Sequence, residues 1–257
     1  MRELERIAHH PHPLLRRNAT AVAVVGAGRM GHAIAAALME AGYEVGEPAG
    51  RGEVPGGCDA ILLCVPDSEI AAAAATVAGA AEFVGHTSGA TPLSALEPAG
   101  AQAFGLHPLQ TVSRGSARFD GCGCATAGST PEALELADRM ARDLGMLPFE
   151  VRDDQRAAYH AAASIASNFL VTLQAEAEAL ADAAGIEGFD ARHMLAPLVR
   201  TTVENCAALG PRRALTGPVA RGDHATVGAQ RAAIAAHRPQ LELLFDHLVE
   251  RTEALAS

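Results

Sequence analysis

A glycine pattern near the start of this 257-residue chain constrains its fold more than any other feature. The apolar run 21–25 leads directly into Gly26, Gly28 and Gly31, and a helical pattern follows. In that context the first glycine permits a tight turn, the second lets the backbone approach a pyrophosphate, and the third lets helix and strand pack closely. The pattern therefore predicts the phosphate loop of a dinucleotide-binding α/β domain. The candidate cofactor contacts in this loop are Gly26, Ala27, Gly28, Arg29, Met30 and Gly31.

Short apolar runs alternate with helical stretches as far as residue 151, which predicts a Rossmann-like, doubly wound, mostly parallel sheet. Seven strands are predicted, over 21–25, 43–45, 60–65, 82–86, 102–106, 122–127 and 147–151. Helices are predicted over 29–41, 68–78 and 131–144. Only about a dozen residues separate the second strand from the third, close to the minimum for a parallel crossover. We therefore expect the helix between those two strands to be missing.

After residue 151 only helical patterns follow, over 153–184, 190–209, 225–237 and 239–255. The sequence thus predicts two domains, a dinucleotide-binding domain at 1–151, with 1–19 as a mobile arm, and a helical domain at 152–257. The first helix would be on the order of 45 Å long at about 1.5 Å per residue. Three shorter helices cannot cover an apolar helix of that length, and soluble monomers seldom expose such patches. A homodimer formed mainly through the helical domain is therefore expected.

Composition excludes several classes of function. All 20 basic side chains are arginine, so the chain has no lysine for a Schiff base or for a lysine-bearing phosphate loop. The formal charge of −10 opposes a broad nucleic-acid surface. Five scattered cysteines give no disulfide framework, and the first twenty residues lack the apolar stretch of a signal peptide, so a cytoplasmic location is expected. The uncharged run 157–175 carries six polar side chains, which favours a helix buried in protein over one in lipid.

The end of the second predicted strand indicates which dinucleotide binds. An acid there would bond the ribose 2′-hydroxyl of NAD, whereas a nearby arginine would accept the 2′-phosphate of NADP. The usual acid position falls at Ala49, and Arg51 follows shortly after, so NADP is predicted. NAD remains an alternative, in which Pro48 and its neighbouring glycines distort the turn and bring Glu47 to the ribose.

Further candidate residues follow the strand ends, because ligands of open parallel sheets lie beyond the carboxyl ends of the strands. Val65, Pro66 and Asp67 would border the nicotinamide ribose. A substrate pocket is predicted from His86, Ser88, His107 and Arg221. Taken singly, each histidine could instead bond a loop carbonyl. The spacing of these histidines and His160 does not support a metal site, so no metal is predicted.

Three polar residues on the long predicted helix are candidate catalytic groups. His160, Ser164 and Asn168 are spaced i, i+4 and i+8, which places them on one stripe of a continuous helix. His160 is the predicted acid or base, because an imidazole titrates near neutral pH. The alternative is that the three residues bond loops or a facing helix.

Several segments together carry a resemblance: Val65-Pro66-Asp67, Gly85-His86-Thr87-Ser88-Gly89, Gly105-Leu106-His107-Pro108-Leu109, Tyr159-His160, Ser167-Asn168-Phe169, Leu215-Thr216-Gly217-Pro218 and Arg221-Gly222-Asp223. Over nearly the whole chain, the sequence resembles an uncharacterised bacterial family that joins a Rossmann-like NADP-binding domain to a helical domain of unknown function. Its wider relatives are pyrroline-5-carboxylate reductase, the deazaflavin-dependent NADP reductases and the 6-phosphogluconate or β-hydroxyacid dehydrogenases. The resemblance implies a helical domain like that of 6-phosphogluconate dehydrogenase, an NADP cofactor and pairing through the helical domains.

The chain departs from one of these relatives at a position that matters for chemistry. The β-hydroxyacid dehydrogenases carry a catalytic lysine four residues before an asparagine, and the matching positions here are Ser164 and Asn168. The function expected is an NADP-dependent oxidoreductase that transfers a hydride between the nicotinamide and a small carbonyl, imine or alcohol. A non-catalytic NADP(H)-binding or sensing protein is the alternative, and a metal-dependent hydrolase is a third possibility.

Overall fold

The structure, a computed structural model, describes residues 20–113 and 118–257. Within them, short apolar runs between residues 21 and 150 form one seven-stranded sheet. The strands are β1 (Ala21–Val25), β2 (Glu44–Val45), β3 (Ala60–Leu63), β4 (Phe83–His86), β5 (Gln102–Pro108), β6 (Gly123–Gly128) and β7 (Leu147–Glu150). Their order is β2-β1-β3-β4-β5-β6-β7, and every neighbouring pair is parallel except β5 with β6. All seven predicted strands are confirmed, whereas the predicted arm at 1–19 lies outside the described residues.

Helices cover both faces of this sheet, which confirms the predicted doubly wound fold. They are α1 (Arg29–Glu40), α2 (Ile70–Thr76), the 3₁₀ helix Leu93–Ala99 and α3 (Pro131–Asp143). One apolar cluster joins α1 and α3 to one face, and a second joins α2 and the 3₁₀ helix to the other. Thr130 caps α3 by accepting the N–H of Ala133 at 3.1 Å. Residues 46–59, between β2 and β3, contain no helix, as predicted.

The predicted single helix over 153–184 is wrong, because it is interrupted at Ser167. A 3₁₀ turn, Asp153–Gln155, leads into α4 (Arg156–Ala166), and α5 (Asn168–Ala183) begins after Ser167, whose φ of −119° and ψ of −71° depart from those of a regular α-helix. Serine and asparagine are weak helix formers, so helical propensity is low at the point where the helix is interrupted. The chain divides into two compact units after Ile165. That division keeps most of α4 with the sheet, whereas the sequence-based boundary fell after Val151.

The second unit, Ala166–Ser257, consists of helices only. After α5 come α6 (Gly188–Leu209), α7 (Pro211–Ala214), α8 (His224–His237) and α9 (Glu242–Ala256). Only Ala191 and Ile234 of this unit are buried. Its exposed large apolar side chains are Phe169, Val171, Phe189, Met194, Leu198, Val203, Leu209, Leu243, Leu244 and Leu248. Within the described residues, no helix is long and apolar enough to span a membrane.

Two buried residues are too few to form the hydrophobic core of a unit of this size. We propose that a second copy of the chain supplies the missing cover, because a partner needed for folding must be present wherever the chain is made. Light scattering should then give a mass near twice the 26.4 kDa of one chain. Leu198→Glu, at an exposed position of α6, should weaken the pairing, whereas Met39→Glu, at an exposed position of α1 in the first unit, should leave it intact. A mass of one chain for the unmodified protein would contradict the proposal.

Candidate functional site

Two of the three glycines of the predicted phosphate loop lie where a side chain would collide with the backbone. Gly26 follows β1 with a φ of 112°, and a Cβ there would collide with the carbonyl of Cys64. A Cβ at Gly31 would collide with the carbonyl of Gly26, so α1 packs directly against the turn. Gly28 precedes α1 and has open space beside it. The turn, the close packing and the open approach expected from the sequence are thus all present.

A cleft of about 520 Å³ lies beside this loop. Its walls are residues 25–28 of the loop, residues 50–53 after β2, and, around α2, Cys64, Val65, Pro66, Ser68, Glu69, Ala72, Ala73, Thr76 and Val77. Ala49 holds the segment after β2 against β1, since its N–H donates to Val24 at 2.8 Å and its carbonyl accepts from Gly26 at 2.9 Å. Position 49, where NAD-binding chains carry an acid, therefore lies next to the glycine loop, and in this chain it is an alanine.

Arg51 lines this cleft, and its side chain is 83% exposed. Its guanidinium pairs with Glu69 across the cleft wall, while the carboxylate of Glu53 accepts the N–H of Gly50 at 2.6 Å. Glu47, the residue of the NAD alternative, is exposed and does not line the cleft. Val65 and Pro66 form part of the cleft wall, and Asp67 begins the 3₁₀ turn that follows them.

His86 ends β4 and is fully buried. Its Nδ1 accepts the N–H of Ser88 at 3.2 Å, which places the proton of the neutral ring on Nε2. That Nε2 has no hydrogen-bond partner among the described residues. Burial, the largest cause, and the positive charge of Arg156 lower the pKa of His86 to about 4, against a smaller opposing effect of the Pro92 carbonyl. His86 is therefore a neutral donor at neutral pH.

The hydroxyl of Ser88 is occupied by the loop that follows β4. Its oxygen accepts the N–H groups of Ala90 at 3.2 Å and Thr91 at 3.0 Å, and it bonds the Thr91 hydroxyl at 2.9 Å. Ser88 thus shapes the loop that carries Gly89. A Cβ at Gly89 would lie 2.7 Å from the ring of His107, so the missing side chain lets this imidazole pack on the loop.

His107, on β5, forms a hydrogen-bonded pair with Tyr159, on α4. Its Nδ1 lies 2.6 Å from the phenol oxygen, and the two rings meet edge to face with centroids 5.5 Å apart. Burial is the largest cause that lowers the pKa of His107 to about 4, followed by the charge of His160. Burial also raises the pKa of Tyr159 to about 12. Both partners are therefore neutral near pH 7, and one of their two protons lies in the bond between them.

The predicted catalytic stripe does not form on one helix. His160 lies on α4 with its ring centroid 6.4 Å from that of His107, and half-buried Ser164 follows one turn later. Asn168 instead begins α5 in the second unit, because the helix breaks at Ser167. Arg221 is also in the second unit, exposed at the end of the 3₁₀ turn Val219–Arg221.

Two residues with polar contacts in this region were missed by the sequence analysis. Tyr159 precedes His160 in a motif that was noticed, but its partner lies 52 residues away on another element. Arg156 is only 3% exposed, and its Nε donates to Asp153 at 2.7 Å. A buried arginine has no signature in sequence, because helices carry most arginines on their exposed faces. Among the described residues, no group of three or more His, Cys, Asp or Glu side chains is arranged to hold a metal ion.

Comparison with known proteins identifies the family and the fold. Residues 122–252, about half of the chain, match a family described as a domain of unknown function, DUF2520. No curated protein matches the chain. The chain is similar to a structure from Bacteroides fragilis, described provisionally as an NADP oxidoreductase, with 21% identity over 92% of this chain and 98% of that chain and a TM-score of 0.79.

Two further structures have the same architecture. A protein from Thermotoga maritima is 21% identical over 91% of this chain and 98% of its own, with a TM-score of 0.71. A pyrroline carboxylate reductase from Plasmodium falciparum, with NADP bound, is 10% identical over 93% of this chain and 99% of its own, with a TM-score of 0.59. At these identities the likeness establishes the fold. It confirms the predicted Rossmann-like sheet followed by a helical region.

Burial of His86 has a measurable consequence for stability. Its pKa in the folded chain, about 4, lies below the ordinary value of 6.5, so between these values the unfolded chain binds a proton that the folded chain does not. The free energy of unfolding should therefore fall as the pH drops through this window, by at most about 1.4 kcal/mol per pH unit for this residue. Urea unfolding at pH 7 and at pH 5 measures this change. Between these two pH values, the free energy of unfolding should fall less in His86→Gln than in the unmodified chain. His247→Gln, at an exposed position, is the control, and an unchanged pH dependence in His86→Gln would contradict this account.

Proposed function

The chain belongs to the family of the domain of unknown function DUF2520, and we propose that it is an NADP-dependent oxidoreductase. The proposed reaction transfers a hydride between the nicotinamide and a small carbonyl, imine or alcohol. One observation carries the proposal. The glycine loop with its cleft and the cluster of His107, Tyr159 and His160 lie at the same edge of one sheet, within one compact unit. The names of the structures from B. fragilis and P. falciparum support the same cofactor.

The residues of the loop and cleft fit a dinucleotide phosphate. The pyrophosphate would lie at the N-terminus of α1, where Gly28 leaves the backbone open and the helix end offers N–H groups. Arg51 would exchange its ion pair with Glu69 for one with the 2′-phosphate. Ala49 offers no carboxylate that could bond a free 2′-hydroxyl. Val65, Pro66 and Asp67 would lie along the nicotinamide ribose. When bound, the cofactor supplies or accepts the hydride.

Proton transfer would fall to the neutral His107–Tyr159 pair and to His160. A phenol with a pKa near 12 is acidic enough to protonate the alkoxide that hydride transfer to a carbonyl produces, and His107 would hold its oxygen in place through the 2.6 Å bond. His160 lies beside the pair as a second acid or base. Ser164, Asn168 and Arg221 remain proposed substrate contacts, and Ser88 acts through the loop that supports His107.

Two further features belong to the proposal. The five cysteines are all free, which supports a reducing, cytoplasmic compartment.

A non-catalytic role in binding or sensing NADP(H) is the second candidate. It is favoured by Ser164, which stands where the β-hydroxyacid dehydrogenases that the sequence resembles carry their catalytic lysine.

Arg51→Ala should weaken NADPH binding about tenfold or more and leave NADH binding nearly unchanged, since only NADPH carries the phosphate that the guanidinium would bind. Glu69→Ala should strengthen NADPH binding, because it frees that guanidinium. Isothermal titration measures both. Arg142→Ala, which removes an exposed arginine of an i,i+4 ion pair on α3, is the matched control. Equal affinity of the unmodified protein for NADPH and NADH would refute NADP preference, and tighter NADH binding would favour Glu47.

A transfer experiment separates the enzyme from the sensor. The protein is mixed with NADPH deuterated at C4 and a metabolite extract, and mass spectrometry follows the label. We expect deuterium in a metabolite that carries a new C–H bond, and its loss in His107→Asn and His160→Ala, with NADPH affinity retained because the glycine loop is unaltered. Tight NADPH binding without any transfer would support the sensing role. Unaltered transfer in both variants would show that these histidines are structural.

A further inference from the structure

Arg156 has an unusual environment for an arginine. It begins α4, and its side chain is 4% exposed. Its single hydrogen bond to a described residue runs from Nε to Asp153, a carboxylate that is itself about half exposed and also accepts the N–H of Leu93. The two Nη groups carry four further N–H donors and make no hydrogen bond to a described residue. They are not among the fully buried atoms without a partner, so they stay within reach of solvent or of a ligand.

His86 presents a second buried donor on the same face of the sheet. His86 of β4 pairs in register with Gly105 of β5, and in-register residues of parallel strands project to the same side. A Cβ at Gly105 would lie 3.3 Å from Nη2 of Arg156, so the guanidinium lies above Gly105, beside the His86 ring. The Nε2 proton of His86 has no partner either. Two donor groups, one of them cationic, therefore lie together without an acceptor.

A ligand that satisfies both groups has to be an acceptor. Arginine binds planar, two-oxygen anions through paired N–H bonds, and a carboxylate oxygen also accepts from a neutral imidazole. We propose that Arg156 and His86 form a subsite for a carboxylate group of the substrate. The inference rests on the proposed function and narrows it, since it makes the substrate a small carboxylic acid rather than a neutral carbonyl or imine.

The position of Arg156 links this subsite to the proton-transferring pair. Its charge contributes to lowering the pKa of both His107 and Tyr159, so the guanidinium lies near them as well as near His86. A carboxylate held by Arg156 would place the carbon next to it close to the His107–Tyr159 pair. The reacting C=O or C=N would then lie next to, or within a few bonds of, the carboxylate.

The test uses full-length protein saturated with NADPH. Acetate, pyruvate and succinate are titrated, each beside its uncharged amide, and the imidazole resonances of His86 and His107 are followed by NMR. Affinity should be weak for probes with so few atoms. We expect each carboxylate to shift the His86 signals and to bind about tenfold or more tightly than its amide. Arg156→Gln should weaken carboxylate binding about tenfold or more. The carboxylate affinity of Arg156→Lys should lie between those of Arg156→Gln and the unmodified protein, because lysine keeps the charge but lacks the planar guanidinium.

Arg152→Gln is the matched control, since Arg152 pairs with Asp154 in an exposed position a few residues before Arg156. It should bind every probe like the unmodified protein. If Arg156→Gln does not fold, Arg156→Lys provides the comparison. The proposal is overturned if amides bind as well as carboxylates, if Arg156 variants bind carboxylates normally, or if these variants lose NADPH affinity instead. Failure of NADPH to bind would overturn the proposed function, and the same titration without NADPH would still decide the subsite.

Discussion

The parallel register of β1, β3, β4 and β5 is the constraint on which the candidate site depends. Val25 pairs with Leu63, Leu63 with His86, and His86 with Gly105, so these four residues form one row across the sheet. The chain leaves each strand at or just beyond this row, and for that reason the glycine loop, the cleft wall and both buried histidine segments share an edge. A shift of one residue in any pairing would turn His86 or the space above Gly105 to the opposite face.

The sequence predicts the sheet better than the site because the two depend on different information. Buried parallel strands such as β3 are continuous apolar runs, and the roles of Gly26 and Gly31 are local, so both can be recognised from neighbouring residues. The bond between His107 and Tyr159 joins positions 52 apart, and no local pattern encodes it. The break at Ser167 was missed for a related reason. Alanine and other helix formers dominate residues 157–175, and the Ser167-Asn168 pair among them is too short to interrupt the helical pattern of the sequence.

The two units obtain their stability in different ways. The sheet of the first unit has two apolar clusters, one against each face, so its core is complete within one chain. The helices of the second unit have regular hydrogen bonding, but only Ala191 and Ile234 are buried. Ion pairs such as Arg238–Glu176 and Arg192–Glu178 join its helices, yet partly exposed pairs of this kind contribute little to stability. The apolar side chains of this unit therefore gain most of their burial free energy only when something outside the chain covers them.

The absence of lysine explains how charge and protons are divided in the candidate site. Every fixed cation in this chain is a guanidinium, which stays protonated at all relevant pH values and so cannot act as an acid or base. In the proposed reaction, proton transfer falls to the imidazole and phenol groups of this cluster, and burial keeps both His107 and Tyr159 neutral. Arg156 contributes to the neutrality of His86 and His107, because its charge disfavours a second positive charge on either imidazole, whereas it lowers the pKa of Tyr159 against the larger effect of burial. An incoming anion would offset the charge of Arg156 and make protonation of His107 easier, so substrate binding itself would prepare the pair to transfer a proton.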